Sequence, residues 1–282
     1  MIPFDRRLIP ARDDLIAEHL ADEADGRPTA QPRIAKVVAP IADLRPKPDM
    51  QAVCDTQLLY GERVNVYETS GDWAWVQAIE DSYVGYVFAN QIKHNDTATA
   101  THVVRTLGTN IYRTSSLKTP VCGQLPFAAQ VCVTEIHNDY ARIGEERWLP
   151  QQHLEPLQHR ADDWVDVAEM FLGVPYLWGG RSNLGLDCSA LIQLARSAAG
   201  FRCMRDSDMQ AKTEGETLGA EAGLQRGDLI FWRGHVGVMS DPDTLLHANG
   251  HHMAVTYEPI AEAIRRIEAS DGTPVNRRAR PK

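Results

Sequence analysis

The chain has 282 residues, which is long enough for two or three domains that each bury a hydrophobic core. Apolar residues make up 43% and charged residues 24%, and this ordinary globular mixture excludes disordered, collagen-like and coiled-coil proteins. The 38 acidic residues outnumber the 29 basic ones, and no basic tract could follow a phosphate backbone, so we expect no nucleic acid partner.

The expected location is the cytoplasm. No apolar run approaches the ~18 residues of a membrane span, and charged residues interrupt the first twenty positions where a secretion signal would need an apolar core. The cysteines form no CxxC pair and are odd in number, so at least one thiol is free. They are Cys54, Cys122, Cys132, Cys188 and Cys203. We therefore expect neither export nor a membrane partner.

The first predicted element is a helix over residues 11–24, where an acidic first turn precedes side chains at helical spacing. These side chains belong to Leu15, Ile16, His19 and Leu20. The Gly26-Arg27-Pro28 turn ends the helix. We interpret residues 1–33 as an N-terminal helical extension.

Two tandem β modules follow. Short runs rich in Val, Tyr and Trp alternate with Gly and Pro turns, which is typical of small antiparallel strands. The pattern then repeats after about 60 residues, as in a tandem array. Lys36-Val37-Val38 matches His102-Val103-Val104, and Val64-Asn65-Val66 matches Val131-Cys132-Val133. We place the modules at residues 34–96 and 97–156.

Residues 157–282 predict an α+β domain. The spacing of apolar residues predicts helices, and short apolar runs between turns predict strands. The predicted helices cover residues 162–172, 188–199 and 259–268, and the predicted strands cover residues 228–231, 236–239 and 245–248.

The sharpest chemical feature is Asp187-Cys188-Ser189 at the start of the 188–199 helix. A thiol there feels the positive end of the helix, which predicts a pKa below the ordinary value of ~8.5 and a reactive thiolate. The other four cysteines are interpreted as structural.

A nucleophilic cysteine needs a base, and His235 lies in the alternating run Gly234-His235-Val236-Gly237-Val238. His247, on the following predicted strand, is the candidate third group that orients the imidazole. A lone histidine on a strand is commonly a packed residue. The two histidines together with a cysteine at a helix start favour a catalytic site.

Five motifs resemble the NlpC/P60 cysteine peptidases in order and spacing, over residues 160–260 or so. They are Leu172-Gly173-Val174-Pro175-Tyr176-Leu177-Trp178-Gly179-Gly180, Asp187-Cys188-Ser189, Arg226-Gly227-Asp228-Leu229-Ile230-Phe231, Gly234-His235-Val236-Gly237 and His247-Ala248. The two β modules resemble bacterial SH3 domains, the second being degenerate. The resemblance implies a multidomain chain, with two small all-β SH3-like barrels before an α+β papain-like NlpC/P60 catalytic domain.

The resemblance also implies roles for single residues. Cys188 becomes the nucleophile, His235 the general base and His247 the orienting group. Tyr176, twelve residues before the cysteine, matches a family tyrosine whose hydroxyl helps to hold the substrate or the oxyanion. One departure from the family is Ala190, where the family usually has Gly; we expect the small methyl group to be tolerated.

Substrate-binding roles are implied for two groups of residues. The first group lies near the nucleophile and comprises Asp187, Ser189, Asp206 and Ser207, the last two in a loop segment that also contains Arg205 and Gln210. The second group lies in the first SH3 module, where Glu62 and Tyr83 match an acidic residue and a tyrosine that clamp the free amine of L-alanine. Tyr86 competes with Tyr83 for the tyrosine position.

The order of domains looks like that of the cytoplasmic γ-D-glutamyl-L-diamino acid endopeptidases, which recycle cell-wall peptides. The expected partner is therefore a murein peptide, L-Ala-γ-D-Glu-diamino acid, with meso-diaminopimelate or lysine as the diamino acid; no protein partner is expected. Two alternatives remain open at this point. One is an amidase or acyltransferase of the same fold, and the other is a non-catalytic wall-binding protein.

No cofactor or metal is expected. Imidazoles at His247, His251 and His252, with Asn249, invite a zinc interpretation, but no carboxylate or thiolate nearby in the sequence completes a recognisable site. No Walker loop or GxGxxG element is present, so we infer no nucleotide.

Overall fold

The computed structural model describes residues 5–96, 98–219 and 221–282. The chain divides into two compact units, Met1–Leu157 and Gln158–Lys282. The finer division at residues 33, 96 and 156 remains a prediction.

The first unit is almost entirely β. Among its described residues, short 3₁₀ helices connect the strands; they are Glu18–Glu23, Ala89–Gln91 and Gln151–His153. The strands among its described residues are β1 (Ile16–Ala17), β2 (Thr29–Ala30), β3 (Arg33–Val37), β4 (Ile41–Leu44), β5 (Thr56–Leu59), β6 (Arg63–Ser70), β7 (Trp73–Ala78), β8 (Val84–Phe88), β9 (Ile92–His94), β10 (His102–Val104), β11 (Gly108–Tyr112), β12 (Val121–Pro126), β13 (Gln130–Val131), β14 (Glu135–His137), β15 (Tyr140–Gly144), β16 (Arg147–Pro150) and β17 (Leu154–Pro156).

The first β module combines a five-stranded sheet, in the order β8-β7-β6-β3-β9, with the β4–β5 hairpin. Alternate residues of β6 face one side of the sheet, and Val64 and Val66 are buried there. Gly85 is required by packing, because a Cβ at this position would lie 2.7 Å from Leu44 Cγ and 2.9 Å from the Arg45 carbonyl oxygen. The sheet and the hairpin are therefore in close contact at Gly85.

The predicted helix over residues 11–24 is wrong. Ile16 and Ala17 form β1, which pairs in parallel with β2, and a 3₁₀ helix follows. Both residues are fully buried, and Ala17 packs against Tyr67 and Trp75 of the first module. The Arg12 guanidinium lies 4.5 Å over the Trp75 ring. Burial against the aromatic side chains of the module therefore outweighs a weak helical periodicity.

The second β module contains a three-stranded sheet, β13-β10-β17, and a five-stranded sheet, β12-β11-β16-β15-β14. Its core is made of small and medium apolar side chains, among them Ile111, Leu125 and Leu149. Val103, Val104 and Val131, which belong to the segments that match the first module in sequence, are buried. The interpretation of this module as a second SH3 barrel remains a prediction.

The second unit places helices against one antiparallel sheet, in the order β20-β25-β21-β22-β23-β24. A short hairpin, β18–β19, precedes the second helix. The elements are α1 (Trp164–Glu169), β18 (Arg181–Ser182), β19 (Gly185–Leu186), α2 (Cys188–Ala198), α3 (Ser207–Thr213), β20 (Glu216–Thr217), β21 (Leu229–Trp232), β22 (His235–Met239), β23 (Thr244–Asn249), β24 (Ala254–Pro259), α4 (Ile260–Asp271) and β25 (Arg277–Arg280). This is the predicted α+β arrangement.

The predicted elements of this unit are confirmed, with small shifts at their ends. α2 matches the prediction for residues 188–199, and α4 matches that for residues 259–268. β25 was not predicted, because its sequence, Arg277-Arg278-Ala279-Arg280, lacks an apolar run. It pairs with β21 and is anchored by an ion pair of 2.8 Å between Arg280 and the buried Asp228.

Among the described residues, none of the helices has the length and apolar character needed to cross a membrane.

Candidate active site

Cys188 is the first residue of α2, and Asp187 caps this helix. The Asp187 side chain accepts a hydrogen bond of 2.8 Å from the Ala190 backbone N–H, which fixes the start of the helix. α2 packs against β22 and β23. The thiol is consequently 6% exposed and lies beside the backbone N–H of Val236.

A buried arginine supports the start of α2. Arg205 is 1% exposed, and its guanidinium donates to both carboxylate oxygens of Asp187, at 2.9 and 2.7 Å. It also donates to Ser189 Oγ at 2.9 Å, and Gln210 Nε2 donates to the Ser189 carbonyl at 2.9 Å. These contacts hold the residues on both sides of Cys188 in place. The predicted substrate-binding roles of Asp187 and Ser189 stay predictions.

Behind the cysteine, four side chains form a continuous polar chain across the sheet. His235 Nε2 lies 3.0 Å from His247 Nδ1, and His247 Nε2 lies 3.1 Å from Glu258 Oε2. Arg266 of α4 then binds both oxygens of Glu258, at 2.9 and 2.7 Å. The structure thus joins the two predicted histidines and extends the chain to a carboxylate and a guanidinium.

Gly237 permits the close approach of the two strands that carry these histidines. A Cβ at this position would lie 2.8 Å from Leu245 Cδ1 and 3.1 Å from His247 Cβ. Real Cβ atoms do not approach Leu245 so closely, so any other residue at this position would displace the side chain of Leu245 or of His247.

The prediction of a lowered thiol pKa is wrong. Burial raises the pKa of Cys188 to about 12, and the negative charge of Asp187 adds to this effect. The backbone N–H groups of Val236 and Ser189 favour the thiolate but do not outweigh burial. The resting cysteine is therefore a protonated thiol, and the position at the helix start alone does not activate it.

The histidines are neutral as well. Burial lowers the pKa of His235 to about 3, and the neighbouring His247 adds to this effect. Burial also lowers the pKa of His247, although Glu258 opposes the shift. Partial burial disfavours the charged form of Glu258, yet hydrogen bonds from Arg266 and His247 outweigh it and hold the pKa of Glu258 well below its usual range. The site rests as thiol, two imidazoles and one carboxylate.

The remaining predicted residues of this unit lie at its edge. Tyr176 is half-buried, and burial, with a smaller contribution from the neighbouring Cys188 and Asp187, raises the pKa of its hydroxyl. That hydroxyl is therefore a hydrogen-bond donor at neutral pH. Asp206 and Ser207 are partly exposed at the start of α3, directly after Arg205.

Two family models match the chain. The model for the bacterial dipeptidyl-peptidase SH3 domain matches residues 44–92, and the model for the NlpC/P60 family matches residues 173–267. The second match contains Cys188, both histidines and Glu258.

Similar proteins agree with these matches. Dipeptidyl-peptidase 6 of Lysinibacillus sphaericus is 27% identical over 76% of this chain and 87% of its own length. A gamma-D-glutamyl-L-lysine dipeptidyl-peptidase of Bacillus subtilis is 27% identical over 70% of this chain and 72% of its own length. The crystal structure of an NlpC/P60 family protein from Bacillus cereus covers 88% of this chain and 99% of its own, with a TM-score of 0.72 and 21% identity.

The chain contains an NlpC/P60 domain, and it is a cysteine peptidase. It carries a bacterial SH3 domain before its NlpC/P60 domain, as the sequence predicts. The non-catalytic alternative is thereby set aside.

Glu62 and Tyr83, the predicted clamp residues, belong to the first unit of this peptidase. Glu62 is 7% exposed, and its carboxylate accepts a hydrogen bond of 3.0 Å from the Leu59 backbone N–H. Tyr83 is 2% exposed, in a turn shaped by Asp81. The competing Tyr86 instead accepts a hydrogen bond from Arg12 at 3.0 Å. The clamp stays a prediction.

Ala190 of the NlpC/P60 domain is fully buried in the first turn of α2. Its methyl group faces protein atoms rather than solvent, and its N–H is used by the Asp187 cap. The substitution of the usual Gly therefore adds no exposed methyl group beside the nucleophile.

One group of potential metal ligands lies behind the histidine pair of the NlpC/P60 domain. Donor atoms of His247, His252 and Glu258 lie within 4.8 Å of one another. Glu258 is the carboxylate that sequence reasoning did not find near the histidines. Its oxygens already bind Arg266 and His247, and the guanidinium places a positive charge beside the carboxylate.

Sequence reasoning missed Glu258, Arg266 and Gly237. Glu258 follows His247 by 11 residues on the next strand, and only the register of β23 with β24 brings the two together. For Gly237 the sequence did offer a signal, because a glycine inside a predicted strand marks a close approach of another part of the backbone or a side chain.

Proposed function

We propose that this peptidase hydrolyses the amide between the γ-carboxyl of D-glutamate and a diamino acid, in murein peptides with a free N-terminal L-alanine. The names of the relatives from Bacillus subtilis and Bacillus cereus, both gamma-D-glutamyl-L-lysine dipeptidyl-peptidases, support this bond type. The SH3 match to a bacterial dipeptidyl-peptidase supports it further.

One observation carries the proposal. A buried thiol at the start of α2 lies beside Val236, the residue after His235, and the imidazole of His235 is held by His247. This arrangement supplies a nucleophile, a base and an orienting group for acyl transfer.

The first half of the reaction forms a thioester. Because the resting thiol and imidazole are both neutral, His235 removes the thiol proton as Cys188 Sγ attacks the γ-carbonyl carbon of D-glutamate. Tyr176 donates a hydrogen bond to the substrate or to the oxyanion. The C–N bond then breaks, and the diamino acid leaves as an amine that takes the proton from the His235 imidazolium.

The second half restores the enzyme. His235 removes a proton from water, the hydroxide attacks the thioester carbonyl, and the C–S bond breaks. The thiolate takes the proton back from His235, and L-Ala-D-Glu leaves with a free γ-carboxyl group. This group loses its proton to solvent, and the released amine takes up one proton from solvent. The atoms and charges balance with water as the only co-reactant.

We propose that Glu62 pairs with the free amine of L-alanine, beside Tyr83, and that Asp206 and Ser207 contact the peptide. A charge-assisted contact of this kind contributes roughly 1.5 to 3 kcal/mol. A substrate without the positive amine lacks this charge-assisted contact. The cytoplasm is the proposed location, and the odd number of cysteines without a CxxC pair supports it.

The experiment compares two tripeptides, L-Ala-γ-D-Glu-diamino acid and its N-acetyl form, in wild type and in Glu62→Gln. We expect acetylation to lower kcat/KM by about tenfold to a hundredfold, at ~1.4 kcal/mol per decade. Glu62→Gln should flatten that preference, mainly by weakening turnover of the free amine. Both meso-diaminopimelate and lysine peptides are assayed.

Glu80→Gln provides a matched control, because Glu80 is an exposed acidic residue of the same module and has no assigned role. It should keep the wild-type preference. Digestion of intact cell wall as fast as the free tripeptide would overturn the recycling role and would indicate a lytic peptidase with the same Cys188 chemistry.

A further inference from the structure

We infer that Glu258, held by Arg266, is a positioning residue that sets the tautomers of His247 and His235 and leaves Nδ1 of His235 as the unprotonated, basic nitrogen. The inference rests on the proposed acyl-transfer function and adds two residues to its machinery. Neither residue touches the reacting atoms.

The Glu258 carboxylate determines which atom donates and which accepts in its hydrogen bond with His247. Glu258 is paired with Arg266 through two hydrogen bonds, so it is ionised and can only accept. The nitrogen of His247 that lies 3.1 Å from Glu258 is Nε2, and this nitrogen must therefore carry a proton. A neutral His247 then has an unprotonated Nδ1.

The tautomer of His247 in turn determines the tautomer of His235. Nδ1 of His247 lies 3.0 Å from Nε2 of His235, and an unprotonated Nδ1 can only accept. Nε2 of His235 must therefore donate, and the proton of the neutral His235 resides on Nε2. Its Nδ1 is left with the lone pair that a general base requires.

Arg266 holds the Glu258 carboxylate in place, whereas Glu258 itself accepts the hydrogen bond from His247. Arg266 lies on α4, while Glu258 lies near the end of β24, so the guanidinium fixes the carboxylate from a different element. The two hydrogen bonds hold both oxygens in one plane and leave Oε2 in position for His247. With His247 fully buried and Glu258 8% exposed, water has little access to replace this acceptor.

The charged and titratable groups around His247 come from several elements. His235 lies on β22, Glu258 on β24 and Arg266 on α4, and His252 lies in the turn after β23. Glu262 and Arg265 line the open cleft on the outer side of Arg266. Glu258 favours protonation of the two histidines, whereas Arg266 opposes it.

The first test reads the tautomers directly and needs no substrate. Histidine labelled with ¹⁵N in the Cys188→Ala protein is examined by NMR at pH 7, with resonances assigned through His235→Gln and His247→Gln. We expect both histidines to carry the proton on Nε2. In Glu258→Leu, we expect the single tautomer of His247 to give way to a mixture.

A proton on Nδ1 of either histidine in the Cys188→Ala protein would overturn the inference, and so would unchanged tautomers in Glu258→Leu. The tautomers measured in the Cys188→Ala protein involve no change at Glu258. They therefore test the inference even where Glu258→Leu fails to fold. This measurement is also independent of activity, so failure of the proposed reaction is recognised separately, from wild-type turnover of the tripeptide.

The second test uses pH profiles. Glu258→Gln should lower kcat about 10- to 100-fold with KM nearly unchanged, because the base loses its fixed tautomer while the substrate pocket is intact. Glu258→Gln should also move the acid limb of kcat/KM to lower pH, and Arg266→Gln should move it to higher pH. Glu258→Asp should recover part of the lost kcat.

Arg265→Gln is the matched control. Arg265 is the exposed neighbour of Arg266 on the same helix, and its substitution removes the same charge. It should leave both kcat and the acid limb at their wild-type values. Shifts of the acid limb in the same direction in Glu258→Gln and Arg266→Gln would indicate a purely structural role and would contradict the inference.

Discussion

At the residue scale, the balance between burial and the helix start decides the state of Cys188. A helix N-terminus contributes up to about 2 kcal/mol in favour of a charge, whereas full burial can shift a pKa by several units. The structure has Cys188 6% exposed, so burial dominates. Activation must therefore come from His235 during the attack rather than from a preformed thiolate.

Alkylation kinetics test this neutral resting state. Iodoacetamide should react with Cys188 of the free enzyme more slowly at pH 7 than with the exposed Cys122, because only the thiolate is nucleophilic. The rate at Cys188 should keep rising with pH to at least 9. Peptide mapping by mass spectrometry separates the sites, and a rate at Cys188 that is already constant below pH 7 would reveal a preformed thiolate.

The contact between β22 and β23 gives a second prediction at this scale. Gly237→Ala should displace Leu245 and His247, since its Cβ would lie 2.8 Å from the leucine. We expect kcat to fall at least about tenfold, together with a stability loss of about 1 to 3 kcal/mol from overpacking. Gly250→Ala is the control, because no atom lies within 4 Å of a Cβ there. Wild-type kcat in Gly237→Ala would show that the strand spacing does not position His247.

At the element scale, the segment before β3 belongs to the first β module instead of forming a separate helix. Ile16 and Ala17 are fully buried, while His19, predicted on the same helical face, is exposed. Arg12 covers Trp75 and donates to Glu68 at 2.7 Å. The segment therefore covers an aromatic surface that would otherwise face water.

Paired alanine substitutions test this arrangement. Ile16→Ala should lower the free energy of unfolding of the first unit by about 2 to 5 kcal/mol, the usual cost of a large-to-small change in a core. His19→Ala should change it by less than about 0.5 kcal/mol. Urea denaturation of the full chain measures both. Equal losses in the two variants would favour the helix, which places both side chains on one face.

The sequence predicted elements well where one local pattern decides them. α2 and the strands β21 to β23 have apolar spacing that tertiary contacts reinforce. β25 and the segment around Ile16 could not be predicted, because their conformation depends on pairing and burial against distant residues. Glu258 was missed for the same reason, since strand register is not written in the local pattern.

At the scale of the whole molecule, the buried neutral histidines make stability depend on pH. Their pKa values are lower in the folded chain than in the unfolded chain, so unfolding takes up protons below pH ~6.5. Their contribution to stability is complete above that pH and is lost as the pH falls toward the folded pKa, which is about 3 for His235. The ion pair of Glu258 weakens only below about pH 4.5.

We therefore expect the free energy of unfolding of the second unit to fall between pH 6.5 and 4.5, by up to about 1.4 kcal/mol per pH unit for each histidine. Denaturant unfolding at a series of pH values measures the slope. The double variant His235→Gln, His247→Gln should flatten it. A slope in the double variant equal to that of wild type would place the pH dependence elsewhere in the chain.

The proposed cleavage of the γ-D-glutamyl bond by Cys188 is tested most directly by product analysis. The protein is incubated with L-Ala-γ-D-Glu-meso-diaminopimelate and with the lysine peptide, and the products are identified by mass spectrometry. We predict L-Ala-D-Glu and the free diamino acid from at least one peptide, and no product with Cys188→Ala. Transfer of the dipeptide to an added amine, cleavage at another bond, or equal turnover by Cys188→Ala would contradict the account.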